Sequence, residues 1–165
     1  MKRFLIVVLF YLTAGGISAQ GFSQSVGIRA AWISPGIEYR YYNSDVYSLK
    51  ALLSTRDRGI QLHGLTEFYK YDLFPFSYQL VFFYGAGVHV GFESWDEPRV
   101  EGNQSFNRVQ SAFLTGLDGL VGLEYLFYEA PVKIGIEVKP FFDVFGRYGF
   151  NVVLPDFAFT VKYLF

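Results

Sequence analysis

Residues 77–92 carry the strongest constraint in the chain, an alternation with a period of two. The even positions are Tyr78, Leu80, Phe82, Tyr84, Ala86, Val88, Val90 and Phe92, all apolar or aromatic. Of the odd positions, Ser77 through Gly91, only Val81 and Phe83 are large and apolar. A strand sends successive side chains to opposite faces, whereas a helix would spread both sets around its surface. Residues 73–92 contain no formal charge while His89 is neutral, and a hydropathy window alone would read them as a membrane helix. The period excludes that, as do Pro75, Gly85, Gly87 and Gly91.

The same pattern recurs. In 132–143, Val132, Ile134, Ile136, Val138, Pro140 and Phe142 share one face, opposite Lys133, Glu137, Lys139 and Asp143. In 156–165, Phe157, Phe159, Val161, Tyr163 and Phe165 lie opposite Asp156, Thr160 and Lys162. Turn-forming residues between such runs give eight expected strands: 25–33, 36–42, 47–55, 60–70, 77–92, 110–128, 131–143 and 156–165. Residues 25–42 also fit a single kinked strand. Two longer segments, 93–109 and 144–155, are expected to be loops. The fold class is all-β, an eight-stranded antiparallel up-and-down transmembrane barrel with a packed polar lumen.

Composition excludes several alternatives. The chain has no Cys, so neither disulfides nor a lipoprotein anchor are available. Its net charge of −1 leaves no basic footprint, so no nucleic-acid partner is expected. With 19 Phe, 13 Tyr and 2 Trp but only 18% charged residues, it is too aromatic and too uncharged for an ordinary water-facing domain. Lys2-Arg3, the apolar stretch 4–12 and Ile17-Ser18-Ala19 form a Sec-type signal peptide, residues 1–19, cleaved after Ala19; residues 20–165 form the barrel domain.

An exported chain starts in the periplasm. Alternate crossings then put both long segments and the 56–59 turn outside, and put the 43–46, 72–76 and 129–130 turns and both termini inside, as in the outer membrane of a Gram-negative bacterium. Aromatic girdles follow at both borders, with Tyr41, Tyr47, Phe68, Tyr78, Phe127, Tyr163 and Phe165 on the inner rim and Trp32, Phe92, Phe113, Phe142 and Phe157 on the outer. The opposite strand face carries Arg29, Glu38, Arg40, Lys50, Gln61, His63, Glu67, Gln79, His89, Asp118, Glu124, Lys133, Glu137, Lys139 and Lys162. Six of these are basic and five acidic, a balance suited to a narrow lumen where every ion needs a partner. Eight strands enclose just enough space for side chains, so no open pore is expected. Lipid tolerates no open sheet edge, so the first strand must meet the eighth, and Pro140, which lacks an N–H, should sit at a bulge.

The terminal run Phe157-x-Phe159-x-Val161-x-Tyr163-Leu164-Phe165 resembles the C-terminal signature of outer-membrane barrels. Residues 85–92 and 119–125 resemble segments of small barrels of the outer membrane protein A and X type. The resemblance implies that Phe157, Phe159, Val161, Tyr163 and Phe165 are read by the barrel-assembly machinery through strand addition. It implies outer-membrane lipid and lipopolysaccharide as surroundings. The chain departs from the first of these proteins in lacking a periplasmic wall-binding domain.

The sequence offers little chemistry. His63 and His89 are the catalytic candidates for a lipid-modifying enzyme, with Glu67, Glu93 and Ser94 nearby in sequence, but a triad needs nucleophile, base and acid in contact and Ser94 alternates away from His89. Asp118 and Glu124 lie about 20 Å apart on one strand, too far for a glycosidase pair. No cofactor and no metal is expected, because two His and scattered carboxylates do not by themselves form a site. The leading expectation is a structural or surface-interaction protein acting through its extracellular segments. A lipid hydrolase, and an accessory subunit of a transport or secretion complex, stay open as alternatives.

Overall fold

The computed structural model describes residues 22–165 apart from 57, 102, 103 and 148, and leaves out the side chains of 99–101, 104–106, 153 and 154. The expected signal peptide 1–19 lies outside the described residues. Eight strands run in order: β1 (Gln24–Ala31), β2 (Gly36–Ser44), β3 (Tyr47–Arg56), β4 (Gly59–Lys70), β5 (Leu80–Glu101), β6 (Gln104–Leu126), β7 (Val132–Phe145) and β8 (Asn151–Leu164). Each pairs antiparallel with the next, and β1 pairs with β8 from Ser25↔Leu164 to Ala31↔Ala158, closing the barrel. Residues 24–44 form two strands, not one kinked strand, because Ser34-Pro35 turns the chain back so that Ile28 pairs with Ile37.

The wall is inverted relative to a water-soluble barrel. In β3, Lys50 is 2% exposed while Leu53, three residues on, is 51% exposed. The same inversion holds around the ring, with Ile28, Leu62, Val88, Ile136 and Phe159 facing out and Arg29, His63, His89, Glu137 and Lys162 facing in. Such a wall in water would leave each large apolar side chain at a cost of roughly 1.5–3 kcal/mol; against hydrocarbon that cost disappears. A closed ladder with this exterior is what a bilayer requires of a β-structure.

Two expectations need correction. Residues 93–109 are not a loop: β5 and β6 continue as a two-stranded ribbon to the pair Glu101↔Gln104. Pairing of β4 with β5 stops at Ile60↔Phe92, so the ribbon stands beyond the rim of the wall. Polar composition hid it, since a ribbon exposed on both faces has no apolar side to reveal its period. Residues 144–155 are only partly loop, because β7 runs to Phe145 and β8 begins at Asn151. The turn after β4 is longer than 72–76, extending over residues 71–79. The break at Pro140 is present: the β7–β8 register shifts between Lys139 and Phe141, where the proline has no N–H to give.

Aromatic rings cluster near both rims. At the end that holds the termini, Phe68 lies 5.5 Å from Tyr47 and 5.7 Å from Tyr84. At the ribbon end, Phe92 and Phe113 meet edge-on at 5.7 Å, and Trp32 is 93% exposed.

Candidate functional site in the barrel lumen

The inward faces of the eight strands meet in a lumen organised in two tiers. The tier nearer the termini is built around Arg40. Its guanidinium contacts Glu124 on β6, reaches Glu67 on β4 at 3.1 Å, and lies over the Phe83 ring at 5.1 Å. Lys50 pairs with Glu38 at 2.6 Å and Glu137 at 3.0 Å, and Lys162 with Glu124 at 2.6 Å and Glu38 at 3.3 Å. Arg29 holds Glu137 at 2.5 Å and Asp156 at 2.9 Å. Lys133 is more loosely held, 3.8 Å from Glu124 and 4.5 Å above the Tyr42 ring. Beside these ions, Leu65, Tyr69, Val81, Phe83 and Leu120 form a small apolar cluster that fills space and lowers the local dielectric. Tyr69 bridges the two kinds of contact, donating to Glu67 at 2.8 Å.

The tier nearer the ribbon is built around two imidazoles. His63 and His89 are direct register partners on β4 and β5, with ring centroids 5.3 Å apart. Both turn Nδ1 toward Asp118 on β6, at 2.8 Å and 3.2 Å. His63 Nε2 meets Ser54 Oγ at 2.8 Å, and His89 Nε2 meets Asp143 at 3.1 Å. Gly116 makes room for this: a Cβ there would stand 2.6 Å from the His89 ring. Lys139 lies 3.5 Å from Asp118, and Arg56 closes the tier from above, 3.0 Å from Asp143. Gln61, two residues nearer the ribbon than His63 on the same face, is buried with neither amide atom hydrogen-bonded among the described residues.

All the inward residues expected from the sequence are buried, with one exception. Gln79 precedes β5, sits half-buried in the 71–79 turn and accepts a 2.5 Å hydrogen bond from Tyr125. The inward set read from the sequence left out Ser54, Arg56, Glu93, Asp143 and Asp156: the alternation put Asp143 and Asp156 on the polar face without carrying them into the lumen, and Glu93 fell in a segment expected to be a loop. Counting them, the described lumen holds seven basic and eight acidic side chains, so the expected excess of one cation becomes an excess of one anion.

The contacts proposed for a hydrolase do not form. Ser94 lies across from Ser111 on the ribbon at 3.1 Å, and Glu67 belongs to the Arg40 tier. Ser54, His63 and Asp118 do line up in the order of a nucleophile, base and orienting acid. Ser54 and His63 are each only 1% exposed, however, and two clefts open on the outer wall, away from them. The first is lined by Phe82, Leu123, Ile136 and Phe159, a surface for acyl chains. Asp118 and Glu124 belong to different tiers and share no partner.

No protein-family model and no curated protein matches the sequence. Among solved structures, the N-terminal β-barrel domain of OprF from Pseudomonas aeruginosa aligns with 88% of this chain and 100% of its own, at 11% identity and a TM-score of 0.51. Neisserial surface protein A aligns with 86% of this chain and 94% of its own, at 12% identity and a TM-score of 0.49. At such identity the likeness to OprF concerns the fold: this chain has the eight-stranded outer-membrane β-barrel fold.

Proposed function

We propose that the protein is an integral outer-membrane barrel with a structural or surface-interaction role, carried by the β5–β6 ribbon, without an open pore and without catalytic work of its own. The observation behind this reading is the ribbon itself. Wall pairing ends at Ile60↔Phe92, while β5 and β6 stay paired for nine further residues on the β5 side, roughly 30 Å of ladder at strand rise. It is braced at its base: Asp96 accepts from Arg58 at 2.5 Å, and Arg147 stacks on Trp95 at 4.6 Å. A braced ribbon offers a partner two strand edges and an ordered face, at less ordering cost than a flexible loop.

The ion-paired lumen supports the absence of conduction, and its enclosed histidines leave the hydrolase without access to lipid. Closure of β8 on β1, where Phe165 and Gln24 exchange backbone hydrogen bonds at 3.0 and 3.1 Å, gives the C-terminal residues a place in assembly. Their recognition by the assembly machinery is part of the same proposal, and so is the ribbon's extracellular orientation.

Intact cells treated with protease, followed by single-channel recording of the purified protein in planar bilayers, test the reading. Cleavage within 93–109 that leaves the barrel portion intact, together with flat current traces, is the expected result. A ribbon protected until the cells are permeabilised, or discrete conductance steps, would overturn it.

A further inference from the structure

We propose that the His63–His89–Asp118 cluster is a binding site for one divalent transition-metal ion, of the zinc or cobalt type, inside the ribbon-end half of the lumen. The argument starts from His89. Its two ring nitrogens face two different carboxylates, Asp118 at 3.2 Å and Asp143 at 3.1 Å. A neutral imidazole has one N–H and can satisfy only one of them. The other requires positive charge, either a second proton on the ring or a cation between Nδ1 and Asp118.

The surroundings favour a metal cation. His63 Nδ1 converges on the same carboxylate from the next strand, and the three potential donor atoms lie within 4.8 Å of one another. Donors around a tetrahedral zinc at 2.0–2.1 Å stand about 3.4 Å apart, so the set closes on an ion with ring shifts of about 1 Å. Two imidazoles and one carboxylate are a donor set chosen by first-row transition ions rather than by calcium or magnesium. The outer contacts are those of metal-bound histidines: the far nitrogen of His63 has Ser54 at 2.8 Å, and that of His89 has Asp143, so each ring is held with Nδ1 directed inward. The buried, unpaired amide of Gln61 stands on the ribbon side of the pair, where water on a fourth coordination position would find a partner. Lys139 Nζ lies 3.4 Å from His63 Nδ1 and 3.5 Å from Asp118, so its ammonium competes for the position of the ion.

That competition makes the test two-sided. Protein purified in detergent without a polyhistidine tag, freed of metal by chelator, is titrated with Co(II) and then Zn(II). Uptake is followed by the visible cobalt bands and by elemental analysis, and folding by gel mobility before and after boiling. One ion per chain is expected, with the cobalt spectrum displaced by zinc. His89→Gln and Asp118→Asn should each weaken binding at least tenfold, whereas Lys139→Met should tighten it at least tenfold. Should the first two fail to fold, the Lys139→Met comparison decides alone. Absence of saturable uptake by the native chain, uptake unchanged in a folded His63→Gln/His89→Gln double variant, or uptake no stronger in Lys139→Met would overturn the assignment. The first result would leave a proton as the charge on His89, and the second would place the ion among the carboxylates of the ribbon.

Discussion

Arg40 on β2 and Glu124 on β6 lie in strands that are not neighbours in the sheet, and their side chains meet across the lumen. The contact spans the barrel and is joined by Glu67 and Tyr69 from β4 and Lys162 from β8.

Removing Arg40 takes one buried cation from both Glu67 and Glu124, and leaves Lys162 as the cation closest to Glu124, at 2.6 Å. Arg40→Ala should therefore destabilise the barrel by about 3–5 kcal/mol, while the double substitution Arg40→Met/Glu124→Leu should recover much of that loss. Urea titration in detergent micelles, read by the mobility of the unboiled protein, measures both. A single variant as stable as the native chain would mean that the cluster is hydrated.

On the outside, position decides the effect of charge. Ile136 is 59% exposed on the outer wall, and Ile136→Arg should cost about 2–4 kcal/mol in lipid vesicles. The same change at Val109, exposed on the ribbon beyond the wall, should cost about 0–1 kcal/mol. Equal effects at the two sites would contradict a lipid-facing wall.

Gly116 and Gly64 form a second contrasting pair. A Cβ at Gly116 would lie 2.0 Å from the Phe142 carbonyl oxygen and 2.6 Å from the His89 ring, whereas one at Gly64 meets nothing within 4 Å. Gly116→Ala should destabilise by about 1–3 kcal/mol through overpacking. Gly64→Ala should be neutral or stabilising by up to about 1 kcal/mol, since it restricts the unfolded chain. Parallel urea titrations compare them.

Tyr71, in the 71–79 turn outside the wall, provides a dependence on pH. Partial burial of its phenol, reinforced by Tyr42 and Asp45, pushes the pKa up to about 12 from an ordinary 10. The folded state thus retains the phenol proton more tightly than the unfolded state. Its contribution is fully present below about pH 10 and is lost as pH rises through about 12. Tyr71→Phe should therefore shrink the fall in stability between pH 9 and pH 12, as read from urea midpoints at the two pH values. An identical fall in both proteins would show that other tyrosines govern it.

How much of this was legible in the sequence depends on whether a strand has one apolar face. Residues 132–143 do, and there the inward set Lys133, Glu137 and Lys139 could be read residue by residue. The ribbon was invisible because Asp96, Glu97 and Pro98 are exposed on successive, opposite faces, so no apolar side reveals the period. Asp143 and Asp156 were legible as strand residues but not as lumen ligands, because partner choice depends on barrel stagger, which no single strand encodes. His63 and His89 could be placed facing inward. Their shared carboxylate could not, since His63↔His89 is one β4–β5 register among several that the alternation allows, and the long 71–79 turn that joins those strands does not by its length fix it.

The seam between β1 and β8 has a consequence for how the molecule is made. Arg29 finds Asp156, and Glu38 finds Lys162, only once the last strand has docked against the first. Until then the half-built sheet carries raw charges along its concave side and bare amides along both margins, and hydrocarbon rejects each of these. Insertion and ring closure are thereby coupled: an open sheet is tolerated in hydrocarbon only while something else covers its margins.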